Sequence, residues 1–347
     1  MKGQQGMKNK KDRIRATLGK RAKKSALRTA AGLVRDTGLF AGAGTLVGIA
    51  NYFYDFSMKP ITRDKSRDNE SDEQPYMKGR AWMNGHSARK DWYERAEDGL
   101  RIHANFIPAP AAGGDHRYAI CVHGYSDSAE SMGVYARVYR DVYGMNVVMP
   151  DLRGHGRSEG TYVGYGYHDR LDLITWIDRV LEEDPEAVIL LHGISMGAAT
   201  VLMATGEKLP SNVKACIEDS GFCTALDEFA FVYSTLKEKP PISSYILLPI
   251  TRQIARIRAG YDLGDATPLD AVRRSTTPTL FIHGDADKFI PVRMMNKLFE
   301  AAACRKMAMV VPGAGHVKCV VVDPERYWKK VDSFLKLVDP AIAERRV

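Results

Sequence analysis

Apolar, strand-like runs recur along this chain at 118–123, 146–150, 187–192, 214–219, 278–283 and 307–311. Helical patterns lie between and after them, near 129–142, 168–183, 196–206, 292–303 and 324–337. Strands covered on both faces read as continuous apolar runs, and a parallel neighbour is reached only through a long crossover. The alternation therefore predicts a mostly parallel sheet with helices on both faces. One interval breaks the rhythm. About 55 residues separate the run at 214–219 from that at 278–283, too many for a simple crossover. They contain "LDEFAFVYSTL", "SYILLPITRQIARI" and Pro240-Pro241. We read a helical insertion over about 223–276, beside the C-terminal strand ends where open α/β sheets place their ligands. Upstream, "DWYERAEDGLRIHANFI" has two strand-like runs around Asp98-Gly99, a hairpin signal.

The N-terminal quarter has a different texture. Residues 1–56 hold 12 Lys/Arg against Asp12, Asp36 and Asp55, a net of +9, whereas the whole 347-residue chain carries +8. The body is therefore near neutral, and the basicity of a tail is not a nucleic-acid signature. Anionic headgroups beside a membrane explain that tail, and we expect no nucleic-acid partner. After the tail (1–36), "TGLFAGAGTLVGIANYFY" runs from Thr37 to Tyr54 without a charge. As a helix it would span roughly 27 Å, just short of a hydrocarbon core. We expect a membrane anchor over 37–56, with the N-terminus cytoplasmic and the body extracytoplasmic at the cell membrane. A buried helix and a cleaved signal are the alternatives. Gly42-x-Gly44 has no preceding strand and is not a dinucleotide loop. Residues 57–87 are largely polar and read as a linker to a domain over 88–338, followed by a short tail at 339–347. The five cysteines form no CxxC and no zinc spacing, so neither a disulfide framework nor a metal site is expected.

The chemistry is read from "HGISMGAAT" at 192–200. Gly193-x-Ser195-x-Gly197 is weak by itself, arising by chance in roughly one chain in ten of this length. Its setting strengthens it: a strand precedes and a helix-forming run follows, so Ser195 would stand on a sharp turn at a helix N-terminus. Gly193 and Gly197 would keep Cβ atoms out of the place where strand and helix meet. A serine hydroxyl needs a base. Of nine histidines, His123, His192 and His283 precede glycines at strand ends and suggest turn packing. His316 follows "MAMVVPGAG", a strand and then a flexible loop, and is the candidate base. Its orienting carboxylate should be Asp287 in "HGDADKFIP", with Asp285 as a capping-type alternative and Asp219 a more distant one. The oxyanion needs two N–H donors. One should be that of Met196. The other should be that of Tyr125, where Gly124 lets the backbone turn inward. Tyr162, Tyr165 and Tyr167 cluster after the Gly-rich stretch "DLRGHGRS" and read as a packed loop, with a binding wall as the alternative.

In combination, "VHGYSDS", "PDLRGHGRSEG", "HGISMGA", "PTLFIHGDADKFIP" and "VPGAGH" make the body from about 88 to 338 resemble an α/β-hydrolase of the serine-hydrolase type. With "GYGYHDRLDLITWI" it resembles bacterial membrane-anchored or exported hydrolases related to the BEM46-like and monoacylglycerol-lipase-like (serine aminopeptidase) groups. The resemblance implies an eight-stranded sheet with one antiparallel strand and a cap after the sixth. It also implies a Ser195–Asp287–His316 triad with oxyanion donors at Tyr125 and Met196, and no cofactor. Such members cleave esters, thioesters, amides or peptides. We expect a small-molecule carboxylic ester with a moderately apolar part, because the insertion is rich in Phe, Tyr, Leu and Ile. A peptidase, a thioesterase and a non-catalytic binding protein on the same scaffold are the competing readings.

Overall fold

The computed structural model describes residues 43–60, 74–110, 116–235 and 242–344. Eight strands form one sheet: β1 (Lys90–Arg95), β2 (Arg101–Ile107), β3 (Arg117–Val122), β4 (Asn146–Asp151), β5 (Val188–Ile194), β6 (Val213–Asp219), β7 (Thr279–Gly284) and β8 (Lys306–Val311). Their spatial order is β1-β2-β4-β3-β5-β6-β7-β8. Only β2 runs against its neighbours: it pairs antiparallel with β1 and β4, and every other pair is parallel. The β1–β2 hairpin turns at Gly99, whose φ of 86° suits a residue without a Cβ. This is the α/β-hydrolase fold expected from the sequence.

The helices are α1 (Ala43–Met58), α2 (Gln74–Gly85), α3 (Gly133–Asp141), α4 (Asp169–Glu183), α5 (Met196–Thr205), α6 (Ala225–Thr235), α7 (Ser244–Arg258), α8 (Pro268–Arg274), α9 (Arg293–Ala301), α10 (Cys319–Val322) and α11 (Pro324–Val338). Side chains alternate along each strand, so the sheet feeds two cores. Ile120 and Val122 of β3 join Trp176 of α4 and Leu202 of α5 on one face. Ala119 and Cys121 join Tyr139 of α3 and Phe334 of α11 on the other. Between β6 and β7 the described residues form α6, α7 and α8. Ser243 caps α7 by accepting from the Tyr245 N–H, and Thr267 caps α8 with Pro268 in its first turn.

The N-terminal segments differ from the expectation. Residues 37–42 of the expected anchor lie outside the described residues. From Ala43 on the chain is helix α1, which buries Ile49, Ala50, Phe53, Tyr54 and Met58 in the domain's core. Phe53 meets Phe229 and Tyr233 of the cap edge-on at 5.9 and 5.8 Å, and Asp55 pairs with Arg258 at 2.8 Å. Among the described residues no helix is long and apolar enough to cross a membrane. An uncharged run cannot by itself distinguish a lipid-facing helix from one whose apolar stripe meets protein. The linker expected over 57–87 likewise contains α2, which buries Tyr76, Gly79 and Met83 at helical spacing. The C-terminal tail is also tied down. Buried Arg117 donates to the carbonyls of Ala341, Ile342 and Glu344 and to that of Tyr143, satisfying its guanidinium.

Candidate active site

Ser195 joins β5 to α5 with φ 53° and ψ −118°, a left-handed conformation that side chains other than glycine rarely adopt. The flanking glycines make it possible. A Cβ on Gly193 would lie 2.2 Å from the Gly197 carbonyl oxygen, and one on Gly197 would lie 2.1 Å from the Val122 carbonyl oxygen. Both obstacles are backbone and cannot swing away. The Ser195 N–H donates to the Asp219 carbonyl at 2.8 Å, which ties the turn to β6.

His316 comes from the loop after β8, and Asp287 from the loop after β7. Ser195 Oγ lies 2.8 Å from His316 Nε2, and His316 Nδ1 lies 2.7 Å from Asp287 Oδ2. All three are more than nine-tenths buried, so the bonds are shielded from water and carry more electrostatic weight than at a surface. The other carboxylate oxygen, Oδ1, accepts the N–H groups of Phe289 and Ile290, both at 2.8 Å. Burial pushes the Asp287 carboxyl up, but its hydrogen bonds with His283 and His316 outweigh burial and hold it well below the usual carboxylate range. It therefore stays an anion at neutral pH. This anion fixes His316 Nδ1 as the protonated nitrogen and leaves Nε2 to accept from the serine.

The structure thus brings Ser195, His316 and Asp287 together. Asp285 instead accepts the Gly313 N–H at 2.7 Å and braces the His316 loop. The Asp219 side chain accepts from the Ser220 hydroxyl at 2.8 Å. Met196 opens α5 directly after the serine. Gly124 packs on the serine: a Cβ there would sit 3.1 Å from Ser195 Cβ, which brings the backbone before Tyr125 against Ser195. The Tyr125 phenol turns away and donates to the Ser57 carbonyl of α1 at 2.9 Å, as does Tyr165.

Tyr165 faces Phe229 of the cap at 4.9 Å and Tyr125 at 5.8 Å, part of an aromatic wall. Tyr162 and Tyr167 are packing residues. The first bonds Arg153 and His168, and the second stacks on Tyr261 at 4.7 Å. His123 and His192 are structural, the latter between the hydroxyls of Tyr139 and Tyr327. His283 does more than pack a turn. Its Nε2 donates to the Ile290 carbonyl at 2.8 Å and lies 3.4 Å from Asp287 Oδ2, the oxygen that His316 uses. Burial pulls its pKa down, but Asp287 and the Glu218 charge raise it overall. Its place four residues before Asp287 was visible in the sequence, and that spacing was the available signal. Two buried carboxyls near the site had none. Burial pushes both Glu218 and Glu228 up to about 8. Among the described residues no group of three or more His, Cys, Asp or Glu side chains is arranged to hold a metal ion.

The sequence profile of the alpha/beta hydrolase family matches residues 119–329, more than half of the chain. The chain belongs to the alpha/beta hydrolase family. That match runs from β3 into α11 and includes the whole Ser195–His316–Asp287 constellation. The uncharacterized protein YqkD of Bacillus subtilis is 28% identical over 217 residues, covering 62% of this chain and 70% of that protein. The lysophosphatidylserine lipase ABHD12 of Macaca fascicularis is 27% identical, covering 64% of this chain and 50% of that one. In three dimensions the fold is similar to that of the Pyrococcus furiosus esterase Pf2001. The TM-score is 0.56 at 22% identity, over 72% of this chain and 92% of the esterase.

Proposed function

We propose that this family member is a serine hydrolase that cleaves a carboxylic ester through an acyl-enzyme. Ser195 is the nucleophile, His316 the base and Asp287 its orienting carboxylate, with the N–H groups of Tyr125 and Met196 as oxyanion donors. The observation that carries the reading is the unbroken, buried hydrogen-bonded chain from Ser195 Oγ through His316 to Asp287. As Oγ attacks the ester carbonyl, its proton passes to His316 Nε2, and the Asp287 anion stabilises the imidazolium. The leaving alcohol takes that proton as the tetrahedral intermediate collapses. Water, giving its proton to the same nitrogen, then attacks the acyl-enzyme, and Ser195 recovers a proton as the acid departs. Each oxyanion donor is worth about 3–4 kcal/mol in the barrier.

The ester, rather than a peptide or thioester, is supported by the lipase and esterase among its relatives and structural neighbours. A moderately apolar substrate is supported by the aromatic wall of Tyr125, Tyr165, Phe222 and Phe229. The BEM46-like and monoacylglycerol-lipase-like placement rests on the sequence stretches that suggested it. A panel of p-nitrophenyl esters against aminoacyl-nitroanilides and acyl thioesters tests the reading. Turnover confined to the esters supports it, and turnover confined to the nitroanilides or thioesters replaces it with a peptidase or thioesterase. Silence on all, with Ser195 unlabelled by a fluorophosphonate, leaves a binding protein on a hydrolase scaffold.

We further propose the cell membrane as its location, held by the N-terminal segment with the catalytic domain outside. The +9 charge of residues 1–56 supports this. The packing of Ile49, Phe53 and Tyr54 against the domain favours attachment without these residues inside the bilayer. Membrane fractionation with protease access from outside tests it, and a wholly soluble full-length chain removes it.

A further inference from the structure

Helix α2 lies outside the family match and forms no part of the sheet, yet it touches the loops on both sides of Ser195. It is seated backbone to backbone on α3. A Cβ on Gly79 would lie 2.3 Å from the Val134 nitrogen, and one on Gly133 would lie 2.2 Å from the Gly79 oxygen. Two side chains reach out from that seat. The Tyr76 hydroxyl donates to the Val317 carbonyl at 2.7 Å and, its one proton so used, accepts from Tyr135 at 3.1 Å. Arg80 Nη2 donates to Asp127 Oδ1 at 3.1 Å, and the same oxygen accepts the Ser128 N–H. The gripped loops share a feature. Val317 follows His316 and has φ 50°, and Ser126 follows Tyr125 and has φ 58°. A left-handed conformation in a non-glycine residue, and in a β-branched one above all, persists only where its surroundings hold it.

We infer that α2 is a clamp on the catalytic loops. Tyr76 and Arg80 are positioning residues that hold His316 and the oxyanion side in register with Ser195. This rests on the roles proposed above for Ser195, His316 and Tyr125. A small misplacement of a base or donor costs rate more than binding. The test uses the full chain, ester turnover, the rate of fluorophosphonate labelling, and thermal melting as a control. Tyr76→Phe should lower kcat about 10-fold and Arg80→Met about 5-fold, with KM within about 2-fold and labelling slowed in proportion. Tyr135→Phe removes a hydroxyl from the same buried pair but spares the bond to Val317, so its kcat should stay within about 2-fold of wild type. Arg80→Lys should recover most of the Arg80→Met loss. Should Tyr76→Phe not accumulate folded, the two Arg80 variants carry the test on the other loop. Unchanged kcat in Tyr76→Phe and Arg80→Met, or equal losses in Tyr76→Phe and Tyr135→Phe, would overturn the clamp. A labelled wild type whose variants label equally fast fails the clamp alone. A wild type that is neither labelled nor active fails the reading of Ser195, and the clamp with it.

Discussion

The turn at Ser195 and the loop at His316 each hold a non-glycine residue in a left-handed conformation, Ser195 at φ 53° and Val317 at φ 50°, but they do so by different means. The Ser195 turn is enforced by close packing: Gly193 and Gly197 lie against backbone atoms that a Cβ would strike at 2.2 and 2.1 Å. The His316 loop is open at its apex, where a Cβ on Gly313 would meet nothing of the described residues within 4 Å. It is held instead by groups remote in sequence: Tyr76 on the Val317 carbonyl, the Ser220 hydroxyl near the Val317 N–H at 3.4 Å, and Asp285 on the Gly313 N–H. Ser195 is fixed by close packing, the His316 loop by hydrogen bonds. The first is rigid by exclusion. The second depends on parts that can be removed one at a time.

Gly197→Ala should break the rigid side outright, costing about 3 kcal/mol or more in urea unfolding, because the obstructing atoms are backbone. A loss below about 1 kcal/mol would mean the strand–helix junction yields more than its contacts allow. On the other side, His283→Gln should lower kcat about 10-fold, roughly 1.4 kcal/mol, by loosening Asp287. The sign of the accompanying pH effect follows from the depressed Asp287 carboxyl. Its stabilisation is present above the ordinary carboxylate range and is lost as pH falls below about 4, where the unfolded chain takes up the proton first. In His283→Gln that acid loss should be shallower, which unfolding at pH 3 and pH 6 would read out.

Gly313→Ala sharpens the comparison from the permissive end. Only its φ of 74° resists a side chain, so the cost should be about 1 kcal/mol, a third or less of that at Gly197. A pH-dependent effect is expected in the cap. Glu228 is buried with neither carboxylate oxygen partnered among the described residues, and burial lifts its pKa to about 8. For an acid with a raised folded pKa, the folded state keeps a proton that the unfolded chain releases. Stability therefore falls as pH climbs from about 4.5 toward 8. Glu228→Gln should raise the melting temperature by a few degrees at pH 8 and hardly at all at pH 5. The amide left behind is equally short of partners at either pH, so the difference between pH 8 and pH 5 reads the carboxyl's titration.

The same contrast explains what the sequence made legible. The strands from β3 to β8 are covered on both faces, so their apolar runs stood out, and Asp98-Gly99 announced the hairpin before β2. Ser195 was legible because its constraint is local, two glycines at fixed spacing. Asp287 and His316 were legible as polar residues just past apolar strands. The supports were not. Tyr76 lies 241 residues from Val317 in a stretch, "QPYMKGRAWMNG", whose buried Tyr76, Gly79 and Met83 are outnumbered by polar neighbours. The packing of α1 was not legible either, because Ile49, Phe53 and Tyr54 look alike in a sequence whether they meet lipid or protein. Glu218 and Glu228 carry no periodic mark of burial at all.

The most direct measurement is fluorophosphonate labelling of the full chain, with the modified residue located by peptide mass mapping in wild type and in His316→Ala. The account predicts one adduct, on Ser195, and a labelling rate reduced at least about 1,000-fold when the imidazole is removed. An adduct on any other residue, or a rate at Ser195 that does not depend on His316, would contradict it.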